Sequence, residues 1–225
     1  MFKFLSLLKN KQRFRTKEII DEFHKLYYNS RIWTETYWLG VPIHKCPFDL
    51  WICQEIICRL EPDVVVETGT GDGGSALFFA STIFELMGKG KVLTIDNKKE
   101  SNLPRHVRIK YLVGSSISPK TVQKIKRLIG KRDRVMVSLD SNHEMEYVLK
   151  ELRIYSKLVS DGNYLVVEDT NLNGHPVVPD FGPGPMEAAK EFLKENEDFV
   201  VEGELEKFFS SFNAGGILRK IEQGK

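Results

Sequence analysis

One segment constrains this chain more than any other. Val64-Val65-Val66 runs directly into residues 67–75, Glu-Thr-Gly-Thr-Gly-Asp-Gly-Gly-Ser, and then into helix-compatible sequence up to about Met87. A β-branched run that is continuous rather than alternating reads as a strand buried on both faces, the mark of a parallel sheet. Glycines after it let the backbone turn tightly and let a ligand approach without a Cβ in the way. Gly69, Gly71 and Gly74 satisfy G-x-G-x-x-G, so the glycines alone do not choose between nucleotide cofactors, and a plain structural turn is the alternative.

The rest of the chain repeats the strand–helix alternation. Val92-Leu93-Thr94-Ile95 reads as a second strand, Val107 to Val113 as a third, Arg134 to Leu139 as a fourth and Tyr164 to Val167 as a fifth, with helical stretches at 118–129, 143–157 and 185–196. Phe199 to Glu204 and Gly215 to Ile221 have no helix between them and should pair as a terminal antiparallel hairpin. The expected fold is therefore α/β and Rossmann-like: a mostly parallel sheet with helices on both faces and an antiparallel C-terminal hairpin. The first sixty residues read as helix, with Ile19, Ile20, Phe23, Leu26 and Tyr27 at helical spacing and Pro47 opening a second helix that Pro62 breaks. This divides the chain into a helical N-terminal extension, 1–60, and a cofactor-binding domain, 61–225.

Composition narrows the function classes. The 225 residues are 41% hydrophobic and 28% charged with a formal net charge of +2, which is globular composition with no strong pull toward nucleic acid or acidic membranes. The longest uncharged apolar stretch, Gly73 to Phe84, is far short of the roughly twenty residues a bilayer span needs. Cys46, Cys53 and Cys58 cannot all pair within the chain and there is no Asn-x-Ser/Thr sequon, which fits a reducing, cytoplasmic location. Met1 to Lys17 carries six Lys or Arg and no acid; a basic arm, a helix touching anionic lipid and a solvated helix start are the readings available. The Lys/Arg run from Lys120 to Arg134 lacks interleaved aromatics and reads as a solvated helix face, not a phosphate-binding surface.

Two acids bear on the cofactor. Glu67, two residues before the first glycine, suits the ammonium end of an amino-acid-like ligand, and Asp72 within the loop is repulsive toward a pyrophosphate. Together they favour S-adenosylmethionine over NAD. Asp96, ending the second strand, is placed to accept ribose hydroxyls, and Ser115, after the third, to pass near an adenine, with a plain turn as its alternative. The candidate cofactor contacts are Glu67, Gly69, Thr70, Gly71, Gly74, Ser75, Asp96, Ser115 and Asp140.

Strand four ends in Asp140 and strand five in Glu168-Asp169, and in a parallel sheet both ends lie on the same edge. Three carboxylates at one place repel unless something positive sits among them, and a hard divalent cation with oxygen ligands answers this; helix capping or pairing with Lys/Arg is the alternative. Asp140, Glu168 and Asp169 are the candidate metal ligands. His143, three residues after Asp140, is a candidate base for a hydroxyl proton, with Asp140 as its catalytic partner. No His has an acid two residues on, as a facial-triad iron site would want, and the cysteines read as core.

These residues resemble the cephalosporin hydroxylase / rhamnosyl O-methyltransferase family of class I methyltransferases. The resemblance runs from about Tyr37 to Arg219. It rests on Thr36-Tyr-Trp-Leu-Gly-Val-Pro, Lys45-Cys-Pro-Phe-Asp-Leu-Trp, Glu67-Thr-Gly-Thr with Gly73-Gly-Ser, Leu139-Asp-Ser-Asn-His, Val167-Glu-Asp-Thr-Asn and Phe181-Gly-Pro-Gly-Pro. The sequence is also similar to magnesium-dependent sugar O-methyltransferases of macrolide pathways. The resemblance implies Mg²⁺ at Asp140, Glu168 and Asp169, a histidine base at His143, and cofactor contacts at Glu67, Gly69 and Asp96. Asn142 stands where many relatives carry an acid. The function so implied is metal-dependent methylation of a hydroxyl, on a vicinal diol of a sugar or natural product. An NAD-dependent oxidoreductase and a non-catalytic binding protein are the competing readings. The Gly/Pro-rich segment from Asn171 to Pro185 is either a lid over the acceptor or a passive linker. The first thirty-five residues cap the acceptor pocket or build a subunit interface, and a homo-oligomer is expected.

Overall fold

The computed structural model describes residues 2–85, 87–98 and 100–222. Helix α1 (Phe2–Asn29) leads through a 3-10 turn (Ile32–Glu35) and a two-residue hairpin, β1 (Tyr37–Trp38) and β2 (Val41–Pro42), into α2 (Pro47–Leu60). Then follow β3 (Val64–Thr68), α3 (Gly74–Phe78) continued by a π-helical turn (Phe79–Phe84), β4 (Lys91–Asp96), β5 (Ile109–Val113), α4 (Pro119–Leu128) and β6 (Val135–Leu139). The chain closes with α5 (Met145–Tyr155), β7 (Tyr164–Val167), α6 (Pro185–Glu195), β8 (Phe199–Val201) and β9 (Ile217–Lys220).

The seven-stranded sheet has the order β5-β4-β3-β6-β7-β9-β8. The first five strands are parallel; β9 pairs antiparallel with both β7 and β8. The expected terminal hairpin is present, and β9 inserts between its partner and the parallel body. The chain runs outward from β3 through β4 to β5 and then returns to lay β6 on the other side of β3, so the winding direction reverses between β3 and β6. That crevice at the carboxyl ends of the strands is where open α/β sheets bind ligands.

Strand alternation sends Val64 and Val66 to one face and Val65 to the other, and each meets its own helix layer. Val64 and Val66 join Leu93, Val137, Ile125, Leu152, Tyr155 and Phe192 of the α4–α5–α6 side. Val65 joins Val92, Met136, Val166, Ile56, Ile57, Phe79 and Phe84 on the α2–α3 side. All five residues of β3 are buried, as a strand covered on both faces must be.

Two sequence expectations change. Residues 37–42 form a hairpin inside a region read as helix, because the Leu39–Gly40 turn, both residues at positive φ, reverses the chain after only two strand residues. The third strand starts at Ile109, not Val107; Val107 is almost wholly exposed. Of the basic N-terminal arm, the backbone from Phe2 belongs to α1, while the side chains up to Phe14 lie outside the described residues.

The N-terminal region is fastened to the sheet's functional edge. In α1, His24 is buried, and its ring nitrogens lie 3.0 Å from Asn171 Nδ2 and 3.4 Å from Ser210 Oγ. Phe212 sits among His24, Tyr27, Tyr28 and Trp33. On the other side, the β1–β2 hairpin lies against the glycine loop so closely that a Cβ at Gly74 would come 2.1 Å from the Pro42 carbonyl oxygen. Gly74→Ala is therefore expected to destabilise by about 1–3 kcal/mol through overpacking. Gly203, which has open space around its Cβ position, should accept Ala within about 0.5 kcal/mol. Urea denaturation of the two variants checks the contrast; equal stabilities would contradict the close hairpin contact.

Candidate active site

The parallel register brings the ends of β3, β6 and β7 level. The Asp140 amide donates to the Thr68 carbonyl at 3.0 Å, and the Glu168 amide donates to the Leu139 carbonyl at 3.0 Å. Gly69, at φ +87°, passes so near the start of the β6–α5 loop that a Cβ there would fall 1.8 Å from the Asp140 carbonyl oxygen. Only glycine fits, for conformation and for space.

At this edge stands a residue to which the sequence motifs assign no role. Lys45, buried just ahead of α2, donates from Nζ to Asp140 Oδ2 at 2.7 Å and to Glu168 Oε2 at 2.5 Å. The other Glu168 oxygen accepts from Ser138 Oγ at 2.6 Å. His143 Nε2 lies 3.4 Å from both Asp140 Oδ1 and Asp169 Oδ2. Asp169, at φ +54°, is held by its amide donating to Asn213 Oδ1 at 3.0 Å. Ligand atoms of Asp140, His143 and Asp169 all lie within 4.8 Å of one another. Of the three acids expected to share a metal, Asp140 and Asp169 face each other across His143, and Glu168 is tied to Lys45 and Ser138.

The charge balance is uneven. Burial works to raise the Asp140 carboxyl, but Lys45 and then His143 bring it down to about 2. Burial, then repulsion from Asp140, pushes Asp169 up to about 6. Glu168 is also raised, chiefly by burial, with Lys45 opposing. Burial lowers the His143 imidazole, yet its hydrogen bond to Asp140 and the charge of Asp169 outweigh this and lift it to about 9. One ammonium and one imidazole thus serve the anionic groups Asp140, Glu168, Asp169 and the neighbouring Glu67.

Beside this cluster opens a cleft of about 200 Å³ lined by Gly69, Asp96, Asn97, Gly114, Ser116 and Tyr147 among others. Asp96 Oδ2 accepts from the amides of Thr70 and Gly71, at 3.1 Å each, which fixes the carboxylate against the glycine loop. Glu67 is fully buried; Ser75 Oγ donates to its Oε1 at 2.5 Å. Its Oε2 has no well-formed hydrogen bond, the Thr94 hydroxyl beside the carboxylate being engaged with Thr70 at 2.7 Å. Burial holds Glu67 at about 7, against the pull of Lys45 and Ser75.

The other sequence candidates are distributed as follows. Gly69 and Asp96 line the cleft, with Thr70 and Gly71 bonded to Asp96. Gly74 faces the β1–β2 hairpin, and Ser75 reaches Glu67. Ser115 bonds the Tyr147 hydroxyl at 3.0 Å, and it is Ser116, also bonded to Tyr147, that lines the cleft. Asp72 pairs with His44 at 3.0 Å, on the surface. Asn142 caps the approach to α5 through the Glu144 amide at 2.7 Å. Sequence reasoning missed Lys45, Asp49, Tyr147 and Asn213. Asp49 accepts from Ser211 Oγ and the Phe212 amide at 2.5 and 2.9 Å, and so anchors the loop that presents Asn213. The signal for two of them was present: Lys45 and Asp49 belong to one motif that runs into the first turn of α2, where a lysine and an acid flank Cys46, Pro47 and Phe48.

With this geometry in view, comparison with known proteins is direct. A family profile described as Rhamnosyl O-methyltransferase/CmcI matches residues 30–221. The chain belongs to this family. The rhamnosyl O-methyltransferase of Mycobacterium tuberculosis (strain ATCC 25618 / H37Rv) is 40% identical over 208 residues, 89% of this chain and 85% of that protein. That of Mycobacterium leprae (strain TN) is 40% identical over 183 residues, 80% of each. Among solved structures, a CmcI apo-structure superposes with a TM-score of 0.65 at 19% identity, covering 84% of this chain and 78% of that one. A CmcI structure with Mg and SAM gives 0.62 at 20%, covering 84% and 77%. These two show that the family member described here has the class I methyltransferase fold. The resemblance read from the motifs and the family whose profile matches residues 30–221 are the same.

The His143 shift has a definite sign. A folded pKa of about 9 against an ordinary 6.5 means that protonated His143 stabilises the fold fully below about pH 6.5, and that this contribution is lost as pH rises through 9. In EDTA, His143→Gln should therefore lose more stability relative to the parent at pH 6 than at pH 10. Urea denaturation at both pH values checks this; a difference independent of pH would contradict the ion-paired imidazole.

Proposed function

We propose that this chain transfers the methyl group of S-adenosyl-L-methionine to a hydroxyl of a small-molecule acceptor, with Mg²⁺ at the carboxylate cluster. One observation carries the reading: a cleft built from the glycine loop and Asp96 opens beside buried and half-buried carboxylates that outnumber the cations among them. The residues present fit both groups. Glu67 Oε2, buried and without a well-formed hydrogen bond, suits the ammonium of an amino-acid-like cofactor. Asp140, Glu168 and Asp169 supply the oxygen donors that a hard dication takes. The names of the mycobacterial relatives support a sugar hydroxyl as acceptor, and the Mg and SAM of the CmcI relative support the same pair here.

Bound by these acids, Mg²⁺ would supply Lewis acidity that lowers the pKa of an acceptor hydroxyl and a template for two adjacent oxygens. His143 takes the hydroxyl proton at Nε2. It does so only when neutral, and Asp140 and Asp169 hold it protonated to about pH 9 unless their charge is offset. The acceptor oxygen then forms its bond to the methyl carbon as the carbon–sulfur bond breaks. Asp96 and the glycine loop orient the nucleoside so that this displacement is in line. Asp169, held by Asn213, and the α1-packed loop beside it fix the acceptor side of the edge.

The direct test is incubation with S-adenosylmethionine and a panel of rhamnosides and other vicinal diols, with products read by mass spectrometry. A gain of one methyl, abolished by EDTA and restored by Mg²⁺, is expected; transfer that survives prolonged EDTA would contradict the metal role. Asp96→Ala is expected to weaken S-adenosylhomocysteine binding by about ten- to hundredfold, the loss of one charged hydrogen-bonding group. Asp140→Asn should lose Mg²⁺ binding while nearly keeping cofactor affinity. Isothermal titration separates the two variants, and an Asp96→Ala affinity equal to the parent's would remove the nucleoside from this cleft.

A further inference from the structure

The carboxylate cluster contains its own cation. Lys45 Nζ sits between Asp140 Oδ2 and Glu168 Oε2, 2.7 and 2.5 Å away, and Ser138 occupies the remaining Glu168 oxygen. Both Glu168 oxygens thus already accept a hydrogen bond, and the ligand atoms that converge among the described residues are those of Asp140, His143 and Asp169. A divalent ion shared by all three acids would need Mg–O distances of about 2.1 Å. An ammonium in contact with two of the three acids competes with such an ion for Asp140 and Glu168 and repels it.

We propose that Lys45 is a tethered counter-cation: it holds Asp140 and Glu168 while no metal is bound, and it withdraws to let Glu168 join Asp140 and Asp169 around a divalent ion. The inference rests on the metal reading above and adds to it a competitor built into the chain. The side-chain type suits the task. An ammonium on a flexible four-carbon stem can retract as a single point charge, whereas a guanidinium would grip two carboxylates as a rigid fork. Its position suits it too. Lys45 lies in the connection between β2 and α2, after His44 at φ +51° and outside any regular element, so its withdrawal breaks no helix or ladder hydrogen bond. The device solves a folding problem. Buried carboxylates left facing one another before a metal arrives would repel, and breaking such a buried pair by removing one partner is strongly destabilising.

The test is Mn²⁺ binding to the full chain, followed by electron paramagnetic resonance and isothermal titration, for the parent, Lys45→Met and Lys45→Arg, with thermal melts of each in EDTA and in Mn²⁺. Lys45→Met should bind Mn²⁺ about tenfold tighter or more than the parent. Lys45→Arg, which retains a cation, should bind no tighter. The melting temperature of Lys45→Met should fall in EDTA and rise more steeply with Mn²⁺ than the parent's. Should Lys45→Met not fold, Lys45→Gln, which keeps one N–H donor, carries the same comparison. Equal or weaker Mn²⁺ binding without the ammonium would overturn the proposal while leaving the metal site standing. Mn²⁺ bound by none of the proteins would overturn both.

Discussion

Among the described residues, a single ammonium group lies at the carboxyl ends of β3, β6 and β7 among buried and half-buried carboxylates, and the arrangement of this edge follows from that imbalance. Lys45 bridges Asp140 and Glu168, draws Asp140 down to about 2, and lies near enough to Glu67 to oppose the rise that burial gives it. It reaches Asp169 only weakly, so Asp169 stays up at about 6 and depends on His143 for most of its compensation. An interior that placed these acids together without a cation would neutralise them by protonation instead. Here the sheet topology forces the crowding, because parallel strands end level.

The same edge explains why the N-terminal region is built as it is. Proline at the first turn of α2 starts a helix whose third residue, Asp49, accepts from the Ser211 hydroxyl and the Phe212 amide. That loop carries Asn213 to the Asp169 amide, and Phe212 gives α1 its aromatic seat. The β1–β2 hairpin covers the glycine loop from the other side. Thus Lys45, Asp49 and Pro42, all ahead of the first parallel strand, each set the position of a group at the sheet's edge. An O-methyltransferase site of this kind requires acid, base and cofactor cleft to be held in fixed relation to one another, and these contacts supply the fixing.

Much of this was legible in the sequence for a simple reason: it depends on local periodicity and on the rule that parallel strands end together. The uninterrupted valines of β3, the glycines at 69 and 74 and the acids closing β6 and β7 are each read within a few residues, and the antiparallel end follows from two strands with no helix between them. What escaped is long-range or short-lived. Lys45 meets Asp140 across 95 residues and Glu168 across 123, and a lysine ahead of a helix reads as a solvated surface charge until the fold closes over it. The β1–β2 hairpin is too short to leave an alternating pattern. Ser115 and Ser116 are neighbours that share one Tyr147 hydroxyl, and only the backbone path decides which of them faces the cleft.

The central claim is that the carboxylates at this edge gather around a divalent ion beside the cofactor cleft. Crystals grown with Mn²⁺ and S-adenosylhomocysteine, with data collected at the manganese absorption edge, test it most directly. The account predicts one anomalous peak about 2.1 Å from oxygens of Asp140, Glu168 and Asp169, with Lys45 Nζ withdrawn from Glu168. No peak at this edge, with the Lys45 ammonium still bridging Asp140 and Glu168 and the nucleoside seated against Asp96, would contradict it.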